Sequence, residues 1–317
     1  MTAYTIRRLL LFIPTLIVVT LIVFSVVRLV PGHIIDLMVS QEGYFSEKDK
    51  ATILRDMGLD VPIHVQYGRW VAGIITRGDL GKSLWTETPV TEDIIQRLPV
   101  SFELGIIGII MGLLIALPVG VYSAIRQDTS GDYLARSFAM FCIAVPDFWL
   151  GTMVIVFSSL WWGWSPSIDL IPFHKDPLGN IVQFIVPGAL LGMALCGVVA
   201  RMTRTMMLEV MRQDYVRTAW AKGLGERAVV LRHALKNAFI PVITIFGLQV
   251  PVVVGGVVIL EQIFALPGIG RLMLDAAMRR DYNIITGVTL FLAVVILLNN
   301  LVIDLTYAWL DPRVQYT

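Results

Sequence analysis

The sequence is short of charge. Asp, Glu, Lys and Arg make up 15% of its 317 residues, against roughly 25% in soluble domains. That deficit excludes a water-covered globular protein of this size, and a lipid-facing surface resolves it. The formal net charge of +1 leaves no nucleic-acid footprint. Cysteine is scarce too. Cys142 and Cys196 both lie in apolar runs, so they read as small buried hydrophobes rather than as a disulfide framework. The four histidines, His33, His64, His174 and His233, show no metal-ligand spacing. No Ser/His/Asp or Cys/His constellation can be assembled, so no catalysis is expected of this chain.

What the sequence has is apolar length. Hydrophobic residues make up 56% and the mean hydropathy is +0.75. A span needs about 20 mostly apolar residues, and six segments qualify, at 9–30, 102–125, 137–161, 182–204, 238–260 and 284–310. Each must be helical, because lipid offers no partner to a free backbone N–H or C=O. The expected class is an all-α integral membrane protein with six transmembrane helices, forming one transmembrane domain over residues 1–317. Arg7 and Arg8 precede the first span as in a signal peptide. Its apolar run is longer than a usual signal core, however, and no small-residue cleavage site follows, so it reads as a retained helix. Basic residues set the orientation. Arg7, Arg8, Arg126, Arg136, Arg313 and the cluster from Arg201 to Lys236 fall on one side. Only Lys175, Arg271, Arg279 and Arg280 fall in the short loops of the other. Both termini are therefore expected in the cytoplasm.

Residues 31–99 read as an external helical segment. Ser46 with Asp49 resembles a capping box, and Gly58 would end that helix. Pro62 suits the first turn of a second helix from Ile63 to about Ile75, ending before Gly78. Tyr67 and Trp70 are expected to anchor it at headgroup level. The segment is either structural or a dock for an external partner. Trp161, Trp162 and Trp164 read as an interfacial belt. The cytoplasmic segment 205–236 is the most informative. Asp214 to Lys222 favours helix, Gly223-Leu224-Gly225 breaks it, and a second short helix is expected from Glu226 to about Lys236. Two short helices joined by a glycine turn make a docking knob, with Ala219, Ala221 and Gly223 allowing close approach of a partner. The alternative is an ordinary solvated loop.

Two phosphate-binding look-alikes fail. Gly78-Asp79-Leu80-Gly81-Lys82-Ser83 has Thr76 where a phosphate loop needs glycine, and Gly268-Ile269-Gly270 follows a span rather than a strand. Inside the membrane, Asp147 falls near the middle of the third span. An uncompensated Asp there costs about 2.5–3.5 kcal/mol, so it is expected to face the bundle interior, lining a pathway or bonding another helix. Gln249 in the fifth span is a second pathway candidate. Asp304 is expected to pair with Arg201 or Arg204, Asn299 and Asn300 to bond between helices, and Arg28 to snorkel outward. Glu261 and Gln262 sit at an outer helix end, where polar groups are cheap.

One family is similar throughout. The stretch Arg201-Met202-Thr203-Arg204-Thr205-Met206-Met207-Leu208-Glu209-Val210, then Asp214-Tyr215-Val216-Arg217-Thr218-Ala219 and Ala221-Lys222-Gly223-Leu224, resembles the cytoplasmic loop of dipeptide/oligopeptide/nickel ABC-importer permeases, specifically the first of the two paired permeases. Arg7-Arg8-Leu9, Pro31-Gly32, Gly58-Leu59-Asp60, Gln66-Tyr67 and Gly78-Asp79-Leu80-Gly81 match in order. So do Glu261-Gln262-Ile263-Phe264, Pro267-Gly268-Ile269-Gly270-Arg271, Arg280-Asp281-Tyr282 and Asp311-Pro312-Arg313. Departures are Arg217 for Glu, Trp220 for a basic residue, His33 for Asp and Asn283 for Pro.

The resemblance implies a type I ABC importer permease fold (MetI-like), whose short coupling helix docks on a cytoplasmic ATPase. Asp214, Tyr215, Arg217, Thr218, Ala219, Lys222, Gly223 and Leu224 fall on that motif. The implied partners are a sibling permease, two ABC ATPases that bind the ATP and Mg, and an extracytoplasmic solute-binding protein. The chain itself would hold no cofactor. The competing class is a secondary transporter or channel working without ATPases.

Overall fold

The computed structural model describes residues 2–29, 60–167 and 169–310. Ser46, Asp49, Gly58, Pro31-Gly32, His33 and Asp311-Pro312-Arg313 lie outside them. The described elements are α1 (Thr2–Leu29), α2 (Ile63–Arg77), α3 (Val90–Ile125), α4 (Ser130–Ala144), α5 (Asp147–Trp162) and α6 (Pro177–Met211). There follow α7 (Asp214–Ala221), α8 (Glu226–Ala228), a π-helical stretch Val229–Leu235, α9 (Lys236–Ile263), α10 (Ile269–Arg279) and α11 (Tyr282–Leu310). The fold is all-α. Helices α1, α3, α6, α9 and α11 are long and apolar enough to cross a membrane, and α4 with α5 makes a sixth crossing if that bent pair is one span. The helices overrun the apolar runs they contain. The 36 residues of α3 extend about 54 Å at the helical rise, well beyond a bilayer core.

The third span departs from expectation. Residues 137–161 are not one helix, because α4 and α5 meet at a 94° bend. Proline explains it. Pro146 has no N–H to donate, and its ring bars the preceding residue from helical geometry. Val145 (φ −90°, ψ 123°) and Pro146 (φ −63°, ψ 134°) are both extended. Asp147 therefore opens a helix instead of interrupting one.

The described residues divide into two compact units, one from Val100–Gly270 and Leu298 onward, the other from the residues up to Pro99 and Arg271–Leu297. In the first, α3 and α6 pack backbone to backbone. A Cβ on Gly192 would lie 2.7 Å from both the Gly108 carbonyl and the Gly112 nitrogen, so only glycine permits this approach. Leu104, Phe184, Leu191, Val257 and Leu260 form one buried cluster, with Trp164 turned onto it rather than into the interfacial belt. A second joins Ala116, Leu195, Cys196, Val199 and Val242. Cys142 and Cys196 are buried and free. Asn299 donates to the Gly247 carbonyl at 3.1 Å, the interhelical bond expected of it.

Two carboxylates organise this unit. Asp132, fully buried, takes both nitrogens of Arg204 at 2.9 and 2.8 Å, the Asp128 N–H and the Ser123 hydroxyl. Arg204 is thus bound to Asp132 and not to Asp304. Glu261 is also fully buried, contrary to the expectation of a cheap position at a helix end. It accepts from the Ser101 hydroxyl, and that oxygen in turn accepts from the Ile269 N–H at 2.8 Å. Gly268 lies so close over the Glu261 carboxylate that any Cβ would collide with it. The Pro267-Gly268-Ile269-Gly270 turn is packed around a buried acid.

In the other unit, α2 lies against α1. Phe24 meets Tyr67 and Trp70 at ring centroids of 5.4 and 5.5 Å, and the Tyr67 hydroxyl bonds Thr20 at 2.9 Å. These aromatics join helix to helix. Arg28 stacks over Phe24 at 3.8 Å and donates to Gln66. The segment after α2 closes on the start of α11. Asp281, nearly buried, accepts from the Ser83 hydroxyl at 2.6 Å and from the Leu84 N–H at 3.0 Å. Asn283 donates to the Lys82 carbonyl at 2.8 Å, a bond that proline has no group to make.

Replacing Asp132 with Asn removes the charge that binds Arg204, whose side chain is 19% exposed. We expect a loss of about 1.5–3 kcal/mol, the scale of hydrogen bonds to a charged group, read as a lowered Tm of the detergent-solubilised protein. The D132N/R204Q double variant should recover part of it. Equal stability of the single variant and the native protein would contradict the assignment.

Candidate functional site

The cytoplasmic segment begins where α6 ends at Met211 and the chain breaks for two residues. Gln213 is extended (φ −73°, ψ 148°) and Asp214 opens α7, with its acidic side chain at the favoured helix end. Spacing then decides orientation. Val216 and Ala219, three residues apart, fall on one face, and both are buried with Val229. The Gly223 backbone, at φ +77°, takes the left-handed conformation that ends the helix, and the Leu224 N–H folds back to the Ala219 carbonyl.

Asp214, Tyr215, Arg217, Thr218, Lys222, Gly223 and Leu224 are all exposed. Ala219 is not, at 5%. It holds α7 to the body and leaves no surface for a partner. Trp220 is 44% exposed, an apolar ring beside that surface. The expected second short helix is not a separate element. From Glu226 the chain runs through α8 and the π-helical stretch directly into α9 without leaving helical geometry. Val229, on which α7 rests, is the first residue of that stretch. The apolar periodicity of 226–236 signalled a helix correctly, and no local feature marked its junction with the membrane span.

The structure brings Asp147 and Gln249 together. Both line one crevice of about 20 Å³ with Leu191, Leu195, Val252 and Gly256, room for about one water. The α5 N-terminus supplies what an intramembrane carboxylate needs, since Asp147 accepts from the Phe148 N–H at 2.8 Å. Gly256 makes space beside it, where a Cβ would sit 3.2 Å from the second Asp147 oxygen and 2.8 Å from Leu191. The pair is otherwise surrounded by aliphatic groups.

This architecture, several membrane-crossing helices with a short anchored helix outside the bundle, defines a class. The chain belongs to the family of binding-protein-dependent transport system inner membrane components, whose model matches residues 116–316, with the corresponding N-terminal model matching residues 1–105. It is similar to the oligopeptide transport system permease protein AppB of Bacillus subtilis, 39% identical over the full length of both chains. The dipeptide transport system permease protein DppB of Escherichia coli K12 is 36% identical over 100% of this chain and 99% of its own. Among solved structures, the MetNI methionine ABC transporter in an inward-facing conformation matches at TM-score 0.54 and 16% identity, over 69% of this chain and 96% of its own. An amino acid ABC transporter with histidines matches at TM-score 0.52 and 14% identity, over 69% and 94%. The fold is that of the ABC importer permeases, and the chain is a multi-pass permease subunit of such an importer. The reading as a transporter independent of ATPases is set aside.

Proposed function

We propose that this chain carries peptides across the cytoplasmic membrane as one half of a permease pair, with both termini in the cytoplasm. The oligopeptide and dipeptide permeases that resemble it over its whole length support the substrate class. Two ATPases bind ATP and Mg, a solute-binding protein delivers the peptide from outside, and this chain catalyses nothing. The observation that carries the reading is α7, exposed on one face and held on the other by Val216 and Ala219 against Val229.

The mechanism follows from continuity. ATP closes the ATPase pair and draws α7 with it. Val229, beneath α7, begins a helical stretch running uninterrupted into α9, and α9 carries Gln249 to the crevice it shares with Asp147. Motion at the cytoplasmic face reaches the polar pair through one backbone. The bundle is the two-state element, and ATP biases it from inward-facing to outward-facing. Hydrolysis resets it. Asp147 supplies a carboxylate to a cationic group of the passing peptide.

Gly223→Trp tests the docking surface. Its Cβ meets nothing within 4 Å, so the ring projects outward, but any side chain at φ +77° strains the turn. Gly223→Asn, which tolerates that conformation, is the control that should keep uptake. Uptake and substrate-stimulated ATP hydrolysis should fall about 5- to 150-fold, the range of a lost coupling energy, with membrane insertion unchanged. Wild-type uptake would refute docking there. Asp147→Asn should lower peptide affinity roughly tenfold, the scale of one charged hydrogen bond. Unchanged affinity and rate would make Asp147 structural.

A further inference from the structure

We propose that the seam between α3 and α4 holds an anionic phospholipid, its phosphate on Arg136 and Arg201 and an acyl chain in the adjoining apolar groove. Two hollows meet there. One, of about 340 Å³, is lined by Gly120, Ser123, Arg136, Met140, Arg201 and Arg204. The other, of about 480 Å³, is lined by Pro118, Tyr122, Leu134 and Phe138. Val119 and Ala135 line both, so a charged hollow adjoins an apolar one across those two residues.

The charges are uneven. Arg204 is bound by Asp132. Arg136 faces only the Tyr133 ring, at 5.5 Å, and neither Arg136 nor Arg201 has a carboxylate partner among the described residues. Two unneutralised guanidinium groups, one on α4 and one on α6, attract an anion, and basic pockets between transmembrane helices suit phospholipid headgroups. A free phosphate would satisfy the arginines and leave the groove exposed. Leu134 and Phe138 are 72% and 38% exposed, and an acyl chain covers what they present. Under the orientation proposed above, the site lies in the inner leaflet. That part rests on the orientation, and tag accessibility at the termini reads it separately.

The test is native mass spectrometry of the assembled transporter in mild detergent, with its co-purifying lipids quantified. The native complex should retain phosphatidylglycerol or cardiolipin several-fold above its share of the membrane, and washing with inorganic phosphate should not displace it. R136Q/R201Q should lower the enrichment by roughly fivefold for each arginine removed, whereas R136K/R201K should keep most of it. F138W fills the groove without altering charge and should also lower it, which guards against a double variant that fails to assemble. Retained lipid in bulk proportions, enrichment unchanged in R136Q/R201Q or F138W, or displacement by phosphate would overturn the proposal. So would a Leu134→Cys cross-link to the sibling permease, which would put protein in the groove.

Discussion

A carboxylate removed from water must be met by donors, or its burial costs several kcal/mol. Three acids impose that constraint here, and each ties a break between helices to a distant part of the chain. Asp132 fixes the turn from α3 to α4 through Ser123 and Arg204. Glu261 fixes the turn from α9 to α10 through Ser101. Asp281 fixes the entry to α11 through Ser83 and Leu84. In each case a serine hydroxyl from another element reaches the carboxylate. Apolar packing in lipid distinguishes one helix register from another only weakly, so directional bonds at the breaks set which helix ends meet.

With those ends fixed, the part proposed to couple to the ATPases is small. The eight-residue α7 buries only Val216 and Ala219, and what it rests on is the start of the stretch leading into α9. A π-helical stretch at that junction has looser hydrogen-bond geometry than an α-helix, and such segments recur at functional sites. It joins the proposed docking surface to the span bearing Gln249. At the other side of the crevice, the 94° bend at Pro146 turns an N-terminal helix end inward. Asp147 therefore has a backbone donor and, among the described residues, no basic partner.

Most spans and the helix α7 were legible in the sequence because both rest on local signals: apolar length for the spans, and for α7 an acidic start and a glycine stop. The resemblance of residues 201–224 to the importer coupling loop was equally local. What the sequence concealed depends on distant partners. Asp132 and Glu261 lie beside helix ends, where hydropathy makes acids look cheap, and their burial follows from Arg204 and Ser101, 72 and 160 residues away. Arg204 was matched to Asp304 by depth alone, which does not determine azimuth around the bundle. Ala219 was grouped with the coupling motif as a small residue allowing close approach of a partner, and only the position of Val229 shows that it faces inward. The bend at Pro146 was foreseeable from the residue, but the apolar run over 137–161 masked it.

The central claim is that α7 is the surface on which the ATPase acts. Cysteine cross-linking from its exposed face tests it most directly, since the native Cys142 and Cys196 are buried. Arg217→Cys should cross-link to an ATPase subunit in native membranes, with the yield changing between nucleotide-free and ATP-trapped states. A cysteine at 217 that stays open to water-soluble maleimide in the assembled complex and never reaches an ATPase would contradict the account.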